Sequence, residues 1–308
     1  MRSSAMTAGA CALAISLAAC SATEDEADAS PSASGDISQV TVVQSETLAP
    51  DIEFTQDQTY VEEQTEVLWE GEGEPLVDGQ PLLLDIYGES LVDGSVVMNT
   101  FDGLPESFLM APEIVGEGIY EVLQTVNVGG RVLAVSPPGD GADAREPVAL
   151  VVDVLPTSAQ GEVQQPVEGM PTVSLGVDDE PVVTVDPDRE PRSDLEVATL
   201  INGGGTQVRS NSLVLVNYTM VHHDPSPADS DEQWEAGDVF DTSWESEREP
   251  LLLEMDQVSA VPGLQQGLLD QTARSRVLMV VPPELGYPER GSMIVVVDIL
   301  DVWNPEDL

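Results

Sequence analysis

The chain contains no lysine. Its ten basic residues are all arginine, against 57 acidic ones, and the formal net charge at neutral pH is −47. A surface of that sign repels nucleic acid and anionic lipid headgroups, so neither is expected as a direct partner. Solubility, above all in salty surroundings, is the plain reading of so much acid. Cysteine is almost absent as well, with two in 308 residues. Cys11 falls in a segment expected to be removed, which leaves Cys20 alone and no disulfide. Burial must then stabilise the fold, and two domains of about 100–150 residues are large enough for that. The one apolar run near the start, Ala5 to Ala19, is broken by Thr7, Gly9 and Ser16 and is too short to span a bilayer as a mature helix. No zinc-ligand spacing and no catalytic triad is visible, so neither metal nor cofactor is expected.

What the N-terminus does contain is Arg2, the apolar run, and then Leu17-Ala18-Ala19-Cys20. This resembles the lipobox of bacterial lipoproteins. The resemblance implies a signal peptide over 1–20 and a Cys20 thiol that carries diacylglycerol and becomes the new N-terminus. Two or more acyl chains anchor a protein stably. The expected location is therefore the extracytoplasmic face of a membrane in the cell envelope, with the membrane as a partner through the lipid on Cys20. Residues 21–36 consist only of Ser, Ala, Thr, Glu, Asp, Pro and Gly. Such a composition buries too little to offset chain entropy, and it is read as a disordered acidic tether.

The chain then says the same thing twice. Pro105–Leu155 and Pro250–Leu300 align at a constant offset of 145 without a gap, and 16 of the 51 paired positions are identical. Among them are Arg131-Val132-Leu133/Arg276-Val277-Leu278, Pro137-Pro138/Pro282-Pro283 and Val151-Val152-Asp153/Val296-Val297-Asp298. Two copies of one domain are expected, over 40–158 and 170–304. The periodicity is that of strands: Val214, Val216, Tyr218 and Met220 alternate, as do Leu251, Leu253 and Met255, then Val277, Met279 and Val281, then Met293, Val295, Val297 and Ile299. One short helix per copy is indicated, beginning at Pro262 in the second, where a first-turn proline is favoured. One helix against several antiparallel strands is an α+β architecture. The Pro-, Gly- and Asp-rich stretch 156–191 is read as partly linker. Val173–Leu175 with Val182–Val185 form a candidate extra strand pair, matched before the first copy by Val40–Phe54.

The second copy resembles the FKBP-type peptidyl-prolyl isomerases from about Val208 to Trp303. The residues that carry this are Val216-Asn217-Tyr218-Thr219; Gly237-Asp238-Val239-Phe240-Asp241-Thr242-Ser243; Val261-Pro262-Gly263-Leu264 with Gly267-Leu268; Arg276 to Tyr287; and Val295 to Leu300. Each is weak alone, but their order and spacing are specific. The resemblance implies two tandem FKBP-like domains, each a twisted antiparallel sheet wrapped around one short helix. It implies proline-containing polypeptides as substrates and an apolar pocket between helix and sheet. Tyr287, Asp241 and Tyr218 would carry the chemistry. Phe240, Leu251, Leu253, Ala260, Val261, Leu264 and Val295 would line the pocket. Such a site needs no nucleophile. The X–Pro amide resists rotation by about 20 kcal/mol, and a dry site that favours the twisted amide lowers that barrier.

Two departures from the family are visible. Leu264 stands where the family usually has tryptophan. Only Pro288–Ser292 separates Tyr287 from Met293, where the family usually has about a dozen residues, so one wall of the groove is expected to be missing. The first copy departs further and is read as degenerate: Ile86 replaces Tyr218, Met98 and Asn99 replace Phe240 and Asp241, and Ala142 replaces Tyr287. The alternative function is a non-catalytic FKBP-like binding or chaperone module. A solute-binding lipoprotein is disfavoured because the alternating strand–helix pattern of such folds is missing. His222-His223, beside Asp224, is read as part of a solvated loop, and the sequon at Asn217 falls within a strand.

Overall fold

A computed structural model describes residues 33–43, 49–139, 145–176, 179–186, 193–244, 248–259 and 261–305. They fall into two compact units, one of Met1–Phe101 with Phe108–Leu155, the other of Asp102–Ser107 with Pro156–Leu308. Residues 1–20, read as a signal peptide, and Ala142 and Ala260 lie outside the described residues.

In chain order the first unit, together with the short stretch Asp102–Ser107, contains β1 (Ala33–Ser34), β2 (Val40–Val43), β3 (Asp51–Phe54), β4 (Gln58–Thr59), β5 (Gln64–Trp69), β6 (Pro81–Ser90), β7 (Val96–Asn99), β8 (Glu106–Leu109), α1 (Pro112–Val115), α2 (Glu117–Leu123), β9 (Arg131–Ser136) and β10 (Val148–Leu155). The second contains β11 (Glu162–Val163), β12 (Thr172–Leu175), β13 (Pro181–Thr184), β14 (Glu196–Asn202), β15 (Leu213–His222), β16 (Val239–Thr242), β17 (Leu251–Glu254), α3 (Pro262–Leu268), β18 (Arg276–Val281) and β19 (Met293–Trp303). The main sheet of the first unit runs β5-β9-β10-β6-β7, with β8 also on β6. That of the second runs β14-β18-β19-β15-β16, with β17 also on β15 and β11 beyond β14. The strand order is the same. The register agrees as well: Ile86 faces Val152 in one sheet, and Tyr218 faces Val297 in the other.

The longest strands read as unbroken apolar runs because both of their faces are covered. In the second unit Val216, Tyr218, Val277, Met279, Val295 and Val297 pack with Leu264 and Leu268 of α3. On the opposite face Leu278, Val280, Ile294 and Val296 pack with Val173 and Val183 of the β12–β13 hairpin. In the first unit the β2–β3 hairpin takes the corresponding place, with Val40 and Ile52 against Leu133, Val135 and Val151. Each sheet thus carries its helix on one face and a hairpin on the other, a layer beyond the sheet-and-helix picture. The first unit has the one-turn α1 in addition to α2.

Two other boundaries differ from the sequence reading. Ala33–Ser34 pair in parallel with Gln58–Thr59, and the Asp36 side chain caps a turn over Ile37–Gln39, so residues 33–36 of the stretch read as tether are held in the first unit. The segment before residue 170 is held in the second unit: Glu162–Val163 pair with β14, and Thr157 O accepts from Asn217 Nδ2 at 3.0 Å.

Arg131 and Asp153, like Arg276 and Asp298, stand directly opposite each other on neighbouring strands. Each arginine donates through two nitrogens to both carboxylate oxygens of its partner, and the second pair is almost wholly buried. Asp298 also accepts from Ala159 N–H at 2.8 Å, and Arg276 donates to Asp179 O at 3.1 Å, which ties the segment ahead of the sheet to its back. The helix lies close on the other face because Gly267 has no side chain: a Cβ there would overlap Met279 Sδ.

Candidate functional site

β15 alternates across the sheet, so Tyr218 and Met220 face α3 with Val214 and Val216. Asn217 faces away; its Nδ2 is bound to Thr157 and its Oδ1 accepts from Ser243, so the sequon there is buried. Neighbouring β16 carries an extra residue: Met220 faces Asp241 and Val221 faces Val239, which leaves Phe240 as a bulge. A bulge re-aims a side chain. Here it lets two consecutive residues serve one site, with Phe240 packed against the helix-side core and Asp241 bonded to Tyr218.

The bulge also corrects the match between the copies. In the first unit Gly88 faces Met98 and Glu89 faces Val96, so Val97 is the extra residue. Thr100 accepts from Ile86 N–H as Ser243 accepts from Tyr218 N–H. Val97 and Met98, not Met98 and Asn99, therefore occupy the places of Phe240 and Asp241. A one-residue slip hidden in a turn of different length caused the misreading. The carboxylate and hydroxyl are missing from the first unit either way.

The Tyr218 hydroxyl donates to Asp241 Oδ2 at 2.5 Å, and Arg248 donates to Asp241 Oδ1 and, at 2.7 Å, to Thr242 O. Partial burial alone raises the Asp241 pKa. The hydrogen bonds from Tyr218 and Arg248, together with the Arg248 charge, outweigh burial and hold it below the ordinary carboxylate range. Burial first, and then the bond to Asp241, push the Tyr218 phenol well above its usual value. The pair is thus a neutral donor locked on an ionised acceptor. Tyr287 follows the turn at Pro283–Leu285 and packs its ring 5.0 Å from that of Phe240, centroid to centroid. Its hydroxyl has no hydrogen-bond partner among the described residues.

Beneath these groups Leu264, Val261 and Val295 are buried in the same cluster, with Leu253 packed against it. Leu251 shares their face, opposite Val216, but is 37% exposed at the rim and outside the cluster. The expected site residues are therefore brought together, apart from Leu251 at its edge and Ala260 outside the described residues.

Four participants escaped sequence reasoning: Arg248, Trp234, His222 and Arg290. His222 and His223 are not in a solvated loop; both are buried, and His222 closes β15. The His222 ring stacks on Trp234 at 4.5 Å and meets Phe240 edge-on at 5.4 Å. Arg290, in the short turn Pro288–Arg290, lies 4.8 Å from the Trp234 ring and 5.5 Å from the Phe240 ring, and bonds Glu232 at 2.7 Å. The even-numbered alternation of β15 already placed His222 on the side of Tyr218. Nothing in the sequence placed Trp234, which comes from a connection of 16 residues where the first unit has five. At the far edge of the same sheet an open recess is lined by Gln164, Gln165, Val167, Thr199 and Asn202, with no titratable group. Among the described residues no three His, Cys, Asp or Glu side chains are grouped to hold a metal ion.

Residues 204–296 match the family model described as FKBP-type peptidyl-prolyl cis-trans isomerase. A curated relative, peptidyl-prolyl cis-trans isomerase FKBP11 of Bos taurus, is 40% identical over 55 residues, which are 18% of this chain and 26% of that protein. The match thus spans about a quarter of the relative's length. Among solved structures, the three FKBP domains of wheat FKBP73 align over 78% of this chain and 94% of that one, at 17% identity and a TM-score of 0.30. FkpA from Escherichia coli aligns over 37% of this chain and 51% of that one, at 27% identity and a TM-score of 0.30.

Proposed function

We propose that residues 204–296, which match the FKBP-type peptidyl-prolyl cis-trans isomerase model, form a working domain of that family, so that the second unit turns over X–Pro bonds in polypeptides while the first does not. The observation that carries this is the unequal retention of polar chemistry. Tyr218, Asp241, Phe240 and Tyr287 converge in one unit, and the matching strand positions of the other are Ile86, Met98 and Val97. The apolar floor of Leu264, Val261 and Val295 receives a proline ring. The Tyr287 hydroxyl, without a hydrogen-bond partner among the described residues, donates to the substrate carbonyl. Within a site poor in water the twisted amide, less polar than the planar one, is favoured, and each 1.4 kcal/mol or so of that preference is tenfold in rate.

The rival reading is a folding-helper or binding module without turnover, and Leu264 in place of a broad aromatic floor favours it. The deciding experiment follows cis–trans exchange of proline peptides by NMR with the full chain. Catalysed exchange that falls in Phe240 and Tyr287 variants supports the enzyme. Binding of the peptides without faster exchange supports the module. For location, our reading is a lipid anchor on Cys20 at the extracytoplasmic face of a bacterial membrane, motivated by Leu17–Cys20 after the apolar run. Cys20→Ser should release the protein from the membrane fraction, and a variant that stays bound overturns the anchor.

A further inference from the structure

We propose that the long connection between β15 and β16 is a positioning wall of the site: Trp234, stacked on neutral His222 and covered by Arg290, holds the Phe240 ring against Tyr287, and a proton on His222 releases it. This rests on the reading of that site as the place where prolyl peptides bind.

The geometry is a chain of ring contacts ending at a site residue. Trp234 is buried, and its Nε1–H donates to Asp224 O at 3.0 Å, which fixes the indole. Its face meets His222 at 4.5 Å, and His222 meets the edge of Phe240 at 5.4 Å. Arg290 lies against both Trp234 and Phe240 and is held by Glu232. The wall thus comes from a segment the first unit lacks, and it stands beside the shortened turn after Tyr287.

His222 is the weak joint. It is buried, and its Nδ1 has no hydrogen-bond partner among the described residues. A neutral imidazole tolerates this as an unprotonated nitrogen; an imidazolium would present a buried N–H with no acceptor. The groups facing it are of both signs: Arg290 from the turn at 288–290 opposes the charge, and Asp238 and Glu232 from the connection favour it. From β15 itself, His223 is occupied with Asp224 at 3.0 Å, and the β19 residue paired with His222 is the uncharged Met293. Burial, then Arg290, outweigh the two carboxylates and hold His222 below its ordinary 6.5. A proton therefore binds better once the stack has opened, so falling pH through the histidine range favours the open wall.

The test uses the full chain, which has only two histidines. His222 ring signals are titrated by NMR, assigned with His223→Gln, while Trp234 emission is taken as the difference between the parent and Trp234→Phe. The expected result is a His222 midpoint below 6.5 with a change in Trp234 emission at the same midpoint. Exchange catalysis of a proline peptide should fall about threefold or more between pH 7.5 and pH 5. In His222→Phe, which keeps a ring but cannot titrate, the rate relative to its own value at pH 7.5 should stay flat. An ordinary His222 midpoint with unchanged Trp234 emission overturns the proposal, as does an acid fall that persists in His222→Phe. If no variant catalyses exchange at any pH, the isomerase reading fails; the NMR and emission titrations still decide the wall.

Discussion

Replacing Tyr287 by phenylalanine removes one oxygen and leaves a ring packed 5.0 Å from Phe240. The hydroxyl has no internal partner among the described residues, so its loss should leave unfolding within about 0.5 kcal/mol of the parent. Bound to a substrate carbonyl, the same hydroxyl is worth roughly 0.5–1.5 kcal/mol, so catalysed exchange should fall about two- to tenfold. Tyr218→Phe behaves the other way. Its hydroxyl is spent on Asp241 at 2.5 Å, in a bond to a charged acceptor that costs roughly 1.5–3 kcal/mol to lose. The Asp241 side chain is 36% exposed, so solvent screening places the loss at the low end of that range. Denaturant midpoints of the full chain measure the stability effects, and NMR exchange on a proline peptide measures the rate. A Tyr287→Phe chain that is destabilised by more than Tyr218→Phe would refute the assignment of the two hydroxyls. Undiminished catalysis in Tyr287→Phe would remove its role on the carbonyl.

Gly267→Ala drives a methyl into Met279 in a filled core; overpacking should cost about 1–3 kcal/mol, partly offset by about 1 kcal/mol of helix propensity, read as a lower unfolding midpoint. Asp298→Ala strands a buried guanidinium and should cost about 3–5 kcal/mol, whereas Arg276→Met with Asp298→Leu should cost less than the two single changes together in a double-mutant cycle. Asp241 has a folded pKa below its unfolded 3.8, so its ion pair contributes stability at pH values above 3.8 that disappears as pH falls through the folded value. The midpoint gap between the parent and Asp241→Asn should accordingly hold from pH 7 to about pH 5 and close in stronger acid; a gap that widens there contradicts the sign.

What the sequence made legible was whatever strand periodicity and fixed spacing determine. The 145-residue offset carries Arg131 onto Arg276 and Asp153 onto Asp298, and the structure places each pair across the same two strands. Tyr218, Phe240, Asp241 and Tyr287 converge because each lies on or next to a strand of that shared register. Connections obey no such period. Trp234 and Arg290 meet through a long connection and a short turn, and no spacing rule linked them. The slip from Val97 to Met98 has the same origin, since a bulge beside a connection of unequal length hides the true partner. The back-face hairpins were visible as strands, but which face they cover is decided by tertiary packing that local pattern does not encode.

The position of β19 in its sheet has a consequence for how the unit comes into being. It lies between β15 and β18, two strands that make no pairing with each other, yet it follows both in the chain. As the polypeptide emerges, β15 and β18 must wait with open ladders until the centre arrives, and such edges invite other strands. The first unit has the same arrangement around β10, but it is complete by Leu155 and can close while the second is still being made. In both sheets, then, the strand that joins the two halves is the last one made. A chain interrupted before Met293 should hold a finished first unit and a second with exposed edges on both sides of a gap.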